Sequence, residues 1–178
     1  MKTSETSHRI YARVAGFTFL FYIVAGISSM ALTNQSQVAD ILSLLLNFSA
    51  IVLGVTLYMI TREQGPGLAL LALTCRALEA VHGESAIFFS IGSLFFCWLL
   101  LRGRMIPIAL AWLGVVASVL LVVILPLQLA GLIGGAMSWS ASITWIMWLP
   151  MLVFEIALAL WLMIKGVNSE QLKMVSSN

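Results

Sequence analysis

The feature that most constrains this chain is where its charges are not. From Val14 to Ile164 the sequence falls into apolar stretches close to the roughly 20 residues that cross a bilayer as a helix, with charged residues pushed to their edges. Six such stretches can be drawn, at 14–33, 41–60, 68–82, 86–101, 107–130 and 141–164. Only 9% of the 178 residues are charged and 61% are hydrophobic, whereas a soluble domain carries about 25% charged residues. The expected fold is therefore an all-α membrane protein, a six-transmembrane-helix bundle that forms one transmembrane domain over residues 1–178. Its principal partner is the lipid bilayer, and any function has to lie in or between the spans.

The cations follow topology. Lys2, Arg9 and Arg13 precede the first stretch, Arg62 follows the second, Arg102 and Arg104 the fourth, and Lys165 and Lys173 the sixth. By the positive-inside rule both termini are cytoplasmic. The connections assigned to the other side, NQSQVAD, HGES and GLIGGAMSWS, contain no Lys or Arg. Trp98, Trp112 and Trp161 fall toward the inner ends and Trp139 and Trp145 toward the outer ends, as an interfacial aromatic belt requires. The net charge of +2 thus reflects orientation, and nucleic acid is not an expected partner. Arg13, the apolar run and SSMA imitate a cleavable signal peptide. The run from Val14 to Thr33 is nevertheless long enough to span, and retaining it keeps all eight peripheral cations on one side. Cys75 and Cys97 lie within spans and read as small apolar residues, neither disulfide partners nor nucleophiles.

Arg76 is the cation that topology does not place. It sits with Glu79 in LALLALTCRALEA, after a break at Gly65, Pro66 and Gly67. Pro66 suits the first turn of a helix, where its missing N–H costs nothing. The third and fourth spans would then be only about 22 and 24 Å long, short of a roughly 30 Å hydrocarbon core. On an insertion scale Arg and Glu cost more than the leucines of this span return, so the segment needs neighbours. Arg76 and Glu79 share a face, which Ala69, Ala72, Ala80 and Gly83 continue at spacings of three and four. Leu70, Leu71, Leu78 and Val81 mostly point elsewhere. The charged face is expected inside the bundle, where small residues allow close helix approach.

Counting along the helices puts Glu155, the one charge within the last span, at the depth of Arg76 and Glu79, and Glu155 is the expected partner of Arg76. Pro150, one turn earlier, removes a helical hydrogen bond. Tyr22, Ser93 and Ser118 fall at similar depth. One cation against two carboxylates leaves one glutamate to hold a proton or meet water. A buried ion-pair triad that fixes helix register accounts for these residues, and so does a site for a proton, an ion or a polar headgroup. Tyr22, Ser93 and Ser118 serve either as packing partners or as part of that site. HGES reads as a solvated turn; zinc needs three or four ligands, so neither a metal nor a cofactor is expected.

Three stretches together resemble an uncharacterised family of bacterial integral membrane proteins, the domain of unknown function 4386. They are ARVAGFTFLFYIVAGI at 12–27, LALLALTCRALEA at 68–80 and FFSIGSLFFCWLLLRGRMIPIALAWLGVVAS at 88–118, with a weaker match in EIALALWLMIKG at 155–166. The resemblance implies a six-span bundle in the cytoplasmic membrane, with Arg76, Glu79, Pro107 and Glu155 at recurrent positions. It implies no activity. It also implies a longer stretch than VHGES between the arginine–glutamate helix and the next span, so that this chain is a shortened form.

Three functions fit these residues. A small carrier would bind or transport a small solute, ion or lipid headgroup at the Arg/Glu layer; six spans permit two inverted halves with Glu79 and Glu155 each on a third helix. A non-catalytic assembly or regulatory subunit would use the charges structurally. An intramembrane enzyme acting on a lipid or isoprenoid would use a glutamate as acid or base, although HExxH, GxSxG and a paired Asp motif are absent. The sequence favours binding or transport slightly over the assembly role, places enzyme activity third, and leaves oligomeric state open.

Overall fold

Within a bilayer each backbone N–H and C=O has to be satisfied inside the segment that carries it, which leaves an apolar run little choice but helix. A computed structural model describes residues 2–31, 36–81, 85–133 and 142–167, and among these the regular structure is helical. Six helices follow in order: α1 (Lys2–Ala31), α2 (Ser36–Thr61), α3 (Pro66–Glu79), α4 (Ser85–Arg102), α5 (Ile108–Leu129) and α6 (Ser142–Ile164). A single 3-10 turn, Arg62–Gln64, joins α2 to α3.

Four helices contain segments long and apolar enough to cross a membrane: Ser7–Ser29, Asp40–Gln64, Ile108–Leu129 and Trp145–Ile164. The other two form a shorter pair. α3 has 14 residues and α4 has 18, about 21 and 27 Å at 1.5 Å per residue. Pro66 occupies the first turn of α3. The sequence boundaries need correction at two places. α3 ends at Glu79 rather than 82, where Val81 N–H turns back to Leu78 O at 3.0 Å. α1 begins at Lys2, twelve residues before the apolar run, because hydropathy marks the membrane-thick part of a helix and polar turns extend beyond it.

Each helix packs against its neighbours in the chain, and α1 also packs against α6, so the six close into a ring. The closing contact depends on Gly16, where a Cβ would stand 2.7 Å from Ala159 O. Phe19, Leu57, Phe96, Leu100, Phe154 and Leu158 fill the interior. The exterior is equally apolar, with Phe17, Val24, Leu44, Phe48, Val116, Ile146 and Val153 all exposed. A contiguous apolar surface of this kind is unfit for water and suited to lipid.

The basic segments gather at one end of the ring. His8 Nε2 lies 3.6 Å from Glu63 Oε1, Gln64 packs against Gly103, and Arg104 and Lys165 line one groove. Gly166 ends α6 in the left-handed region (φ 74) with its N–H on Trp161 O, a common helix C-cap. Trp98, Trp112 and Trp145 are about half exposed. Trp139, most of GLIGGAMSWS, the HGE of the HGES turn and the tail from 168 lie outside the described residues.

Candidate functional site

α3 owes its position to small residues. Ala69, Ala72, Cys75, Arg76 and Glu79 form its buried face, while Leu70, Leu71 and Val81 are exposed. Glycines flank it on both sides. A Cβ at Gly54 of α2 would lie 3.0 Å from Arg76 Cβ, and one at Gly92 of α4 would lie 3.1 Å from Cys75 Cβ and 3.2 Å from Ala72 O. The stem of Arg76 is thus gripped between α2 and α4, and the residue is only 1% exposed.

The guanidinium has two neighbours that offset its burial. Nη1 donates to Glu79 Oε2 at 2.6 Å, the short distance of a charge-assisted bond. Its Cζ lies 4.7 Å from the centroid of the Phe89 ring and 6.0 Å from that of Tyr22, within cation–π range. The Tyr22 hydroxyl donates to the second oxygen of the same carboxylate, Glu79 Oε1, at 2.8 Å. Both oxygens of Glu79 are therefore engaged.

Glu155 does not complete a triad by contact. It makes no ion pair with Arg76, and its Oε1 is buried without a hydrogen-bond partner among the described residues, as is Nε of Arg76. The reason is geometric: Glu79, one turn further along the same helix, takes the guanidinium. Glu155 instead stands between two spaces. One is a void of about 10 Å³ lined by Arg76, Ser93, Cys97 and Glu155 among others, close to the volume that one water needs. The other is a cavity of about 320 Å³, at the small end of the range for ligand sites.

That cavity is bounded by five helices. Tyr22, Glu79, Phe89 and Glu155 lie at its deep end; Ser29, Ala86 and Trp145 come from the helix ends opposite the basic segments, and Leu46 from the middle of α2. From Tyr22 to Ser29 is about 10 Å along α1 and from Glu155 to Trp145 about 15 Å along α6, at 1.5 Å per residue. Trp148 lines the wall, its ring centroid 5.5 Å from that of Phe89.

Of the residues singled out by sequence, Tyr22, Glu79 and Glu155 meet at the large cavity, while Arg76 and Ser93 meet Glu155 at the small void. Ser118 does not join them. It is fully buried on α5, with its Oγ 3.9 Å from Cys97 Sγ, and α5 contributes nothing to the lining of the cavity. The residues that sequence reading missed are Phe89, Trp148, Gly54 and Gly92. A weak signal existed on α6, where Trp145, Trp148, Leu152 and Glu155 recur at steps of three and four and so form one stripe.

An apolar exterior, helices of membrane-crossing length and a charged pair sealed inside define a multi-pass helical membrane protein. Residues 81–166, a little under half of the chain, match the family described as Domain of unknown function (DUF4386), the family that the sequence resembles. The matched segment carries Phe89, Ser93, Ser118, Trp148 and Glu155, and leaves out Tyr22, Arg76 and Glu79. No curated protein and no solved structure matches the chain.

Proposed function

We propose that this chain is a six-span protein of a bacterial cytoplasmic membrane, both termini inside, that binds a small solute or ion in the cavity above its charged layer and carries it across. One observation supports the reading above others: Glu155, whose Oε1 is buried without a hydrogen-bond partner among the described residues, lines a cavity that reaches one end of the ring. Arg76 neutralises one carboxylate, and Glu79 already has it. An uncompensated charge at membrane depth is expensive and marks a site by default, so the second carboxylate requires a proton or a ligand cation. The gathering of basic segments at the opposite end supports placing the cavity mouth on the outer side.

A second reading has its own support. Arg76 is sealed by Gly54, Gly92 and Phe89, which suits a pair that fixes helix register in an assembly subunit. Thiol access separates the two. With Cys75 and Cys97, both buried, replaced by Ala, Ile23→Cys places a thiol on the cavity wall. A membrane-impermeant maleimide added outside should label it at a rate within about tenfold of a surface thiol, since reaction needs water and access. No labelling in folded protein would leave the structural role as the better account.

A further inference from the structure

Resting on the reading of the cavity as a binding site, we propose that its ligand is a small organic cation, its charged nitrogen at Glu155 and its apolar body among Phe89, Trp145, Trp148 and Leu152. The charges of the lining exclude the opposite sign. Glu79 and Glu155 both line the cavity and Arg76 does not; its guanidinium is closed off by Glu79 and Phe89. A carboxylate or phosphate entering here would meet two carboxylates and no available cation.

The lining also disfavours a bare metal ion. Ca²⁺ or Mg²⁺ takes six or more oxygen ligands, yet among the described residues the cavity offers side-chain oxygens only from Glu79, Glu155, Tyr22 and Ser29. Both oxygens of Glu79 are held by Arg76 and Tyr22, and Ser29 Oγ donates to Gly26 O at 2.8 Å. Among the described residues no three His, Cys, Asp or Glu side chains gather as a metal would need. What remains is one carboxylate among aromatic faces. Aromatic walls attract ammonium groups through the negative charge of the ring face, and apolar walls take the hydrocarbon part of an amine. A volume of about 320 Å³ holds an aryl-alkyl ammonium with room to spare.

The test compares two thiol reagents that differ chiefly in charge, trimethylammonioethyl and sulfonatoethyl methanethiosulfonate, on full-length Ile23→Cys protein lacking Cys75 and Cys97. With rates normalised to a surface thiol, the cationic reagent should react at least roughly tenfold faster, because an acidic cleft concentrates counter-ions by that factor or more. Benzyltrimethylammonium should protect the thiol and phenylmethanesulfonate should not. Glu155→Gln should remove the charge preference and the protection. If Glu155→Gln does not fold, Gly26→Phe carries the test. A Cβ at Gly26 meets only Leu46 Cδ2, at 3.9 Å, so this side chain fills the cavity without a backbone clash, and it should slow both reagents and abolish protection. Equal rates for the two reagents, or protection by the sulfonate, would overturn the cation assignment and leave the cavity in place. Fast reaction without any protection would also overturn it. If neither reagent reacts, the cavity itself is closed and both readings fall.

Discussion

Replacing Arg76 with methionine isolates the energetics of the charged layer. Methionine keeps the unbranched stem that Gly54 and Gly92 admit, so little packing is lost. Three interactions go: the 2.6 Å bond to Glu79, the Phe89 ring contact, and the positive charge itself. Breaking a buried pair by removing one partner costs about 3–5 kcal/mol.

The assay is thermal or denaturant unfolding in a nonionic detergent at pH 7, with wild type alongside. Adding Glu79→Gln to Arg76→Met should restore most of the loss at pH 7, because a buried pair replaced as a unit is close to neutral. A penalty below about 0.5 kcal/mol, as surface substitutions give, would mean that Arg76 and Glu79 are solvated, and the argument from burial would fail.

Other substitutions test separate parts of the fold. Glu155→Gln should cost less than Arg76→Met, because the glutamine removes a charge that has no ion-pair partner; unfolding under the same conditions ranks the two. Tyr22→Phe leaves Glu79 Oε1 without its donor and should cost about 1.5–3 kcal/mol, the range for hydrogen bonds to charged groups. Gly16→Ala would push a Cβ to 2.7 Å from Ala159 O and should cost about 1–3 kcal/mol by overpacking. Gly26→Ala, which meets nothing closer than 3.9 Å, should gain about 0.5–1 kcal/mol in melting experiments through helix propensity. Reporter fusions after Lys165 and within 61–67 should read cytoplasmic and one within 131–140 external; an external carboxyl terminus would refute the six-span arrangement.

How far the sequence could be read depended on which coordinate a pattern encodes. Distance along a helix axis is written in residue number, and so the short third helix beginning at Pro66 and the shared depth of Tyr22, Arg76, Glu79 and Glu155 were legible. The buried face of α3 was legible as well, because Ala69, Ala72, Arg76 and Glu79 recur at helical spacing against exposed Leu70 and Leu71. Rotation of one helix about another leaves no such record. Counting along the helices put Glu155 and Ser118 at one height, yet one faces the cavity and the other faces Cys97. Phe89 stands in a run apolar all round, where nothing marks one aromatic ring from the next. Gly54 and Gly92 acquire meaning only once α3 lies between them.

The separation of Arg76 from Glu155 matters for what the layer can do. Arg76 attracts both carboxylates through space, but it hydrogen-bonds only Glu79. Glu79 takes Arg76 on one oxygen and Tyr22 on the other, which ties α1 to α3. The second carboxylate lies on α6, five residues beyond Pro150, whose missing N–H interrupts the ladder. A rigid pair and a single uncommitted carboxylate at the base of an aromatic cavity divide two tasks between three charged residues. In the binding role proposed above, Arg76 and Glu79 set the geometry and Glu155 meets the ligand.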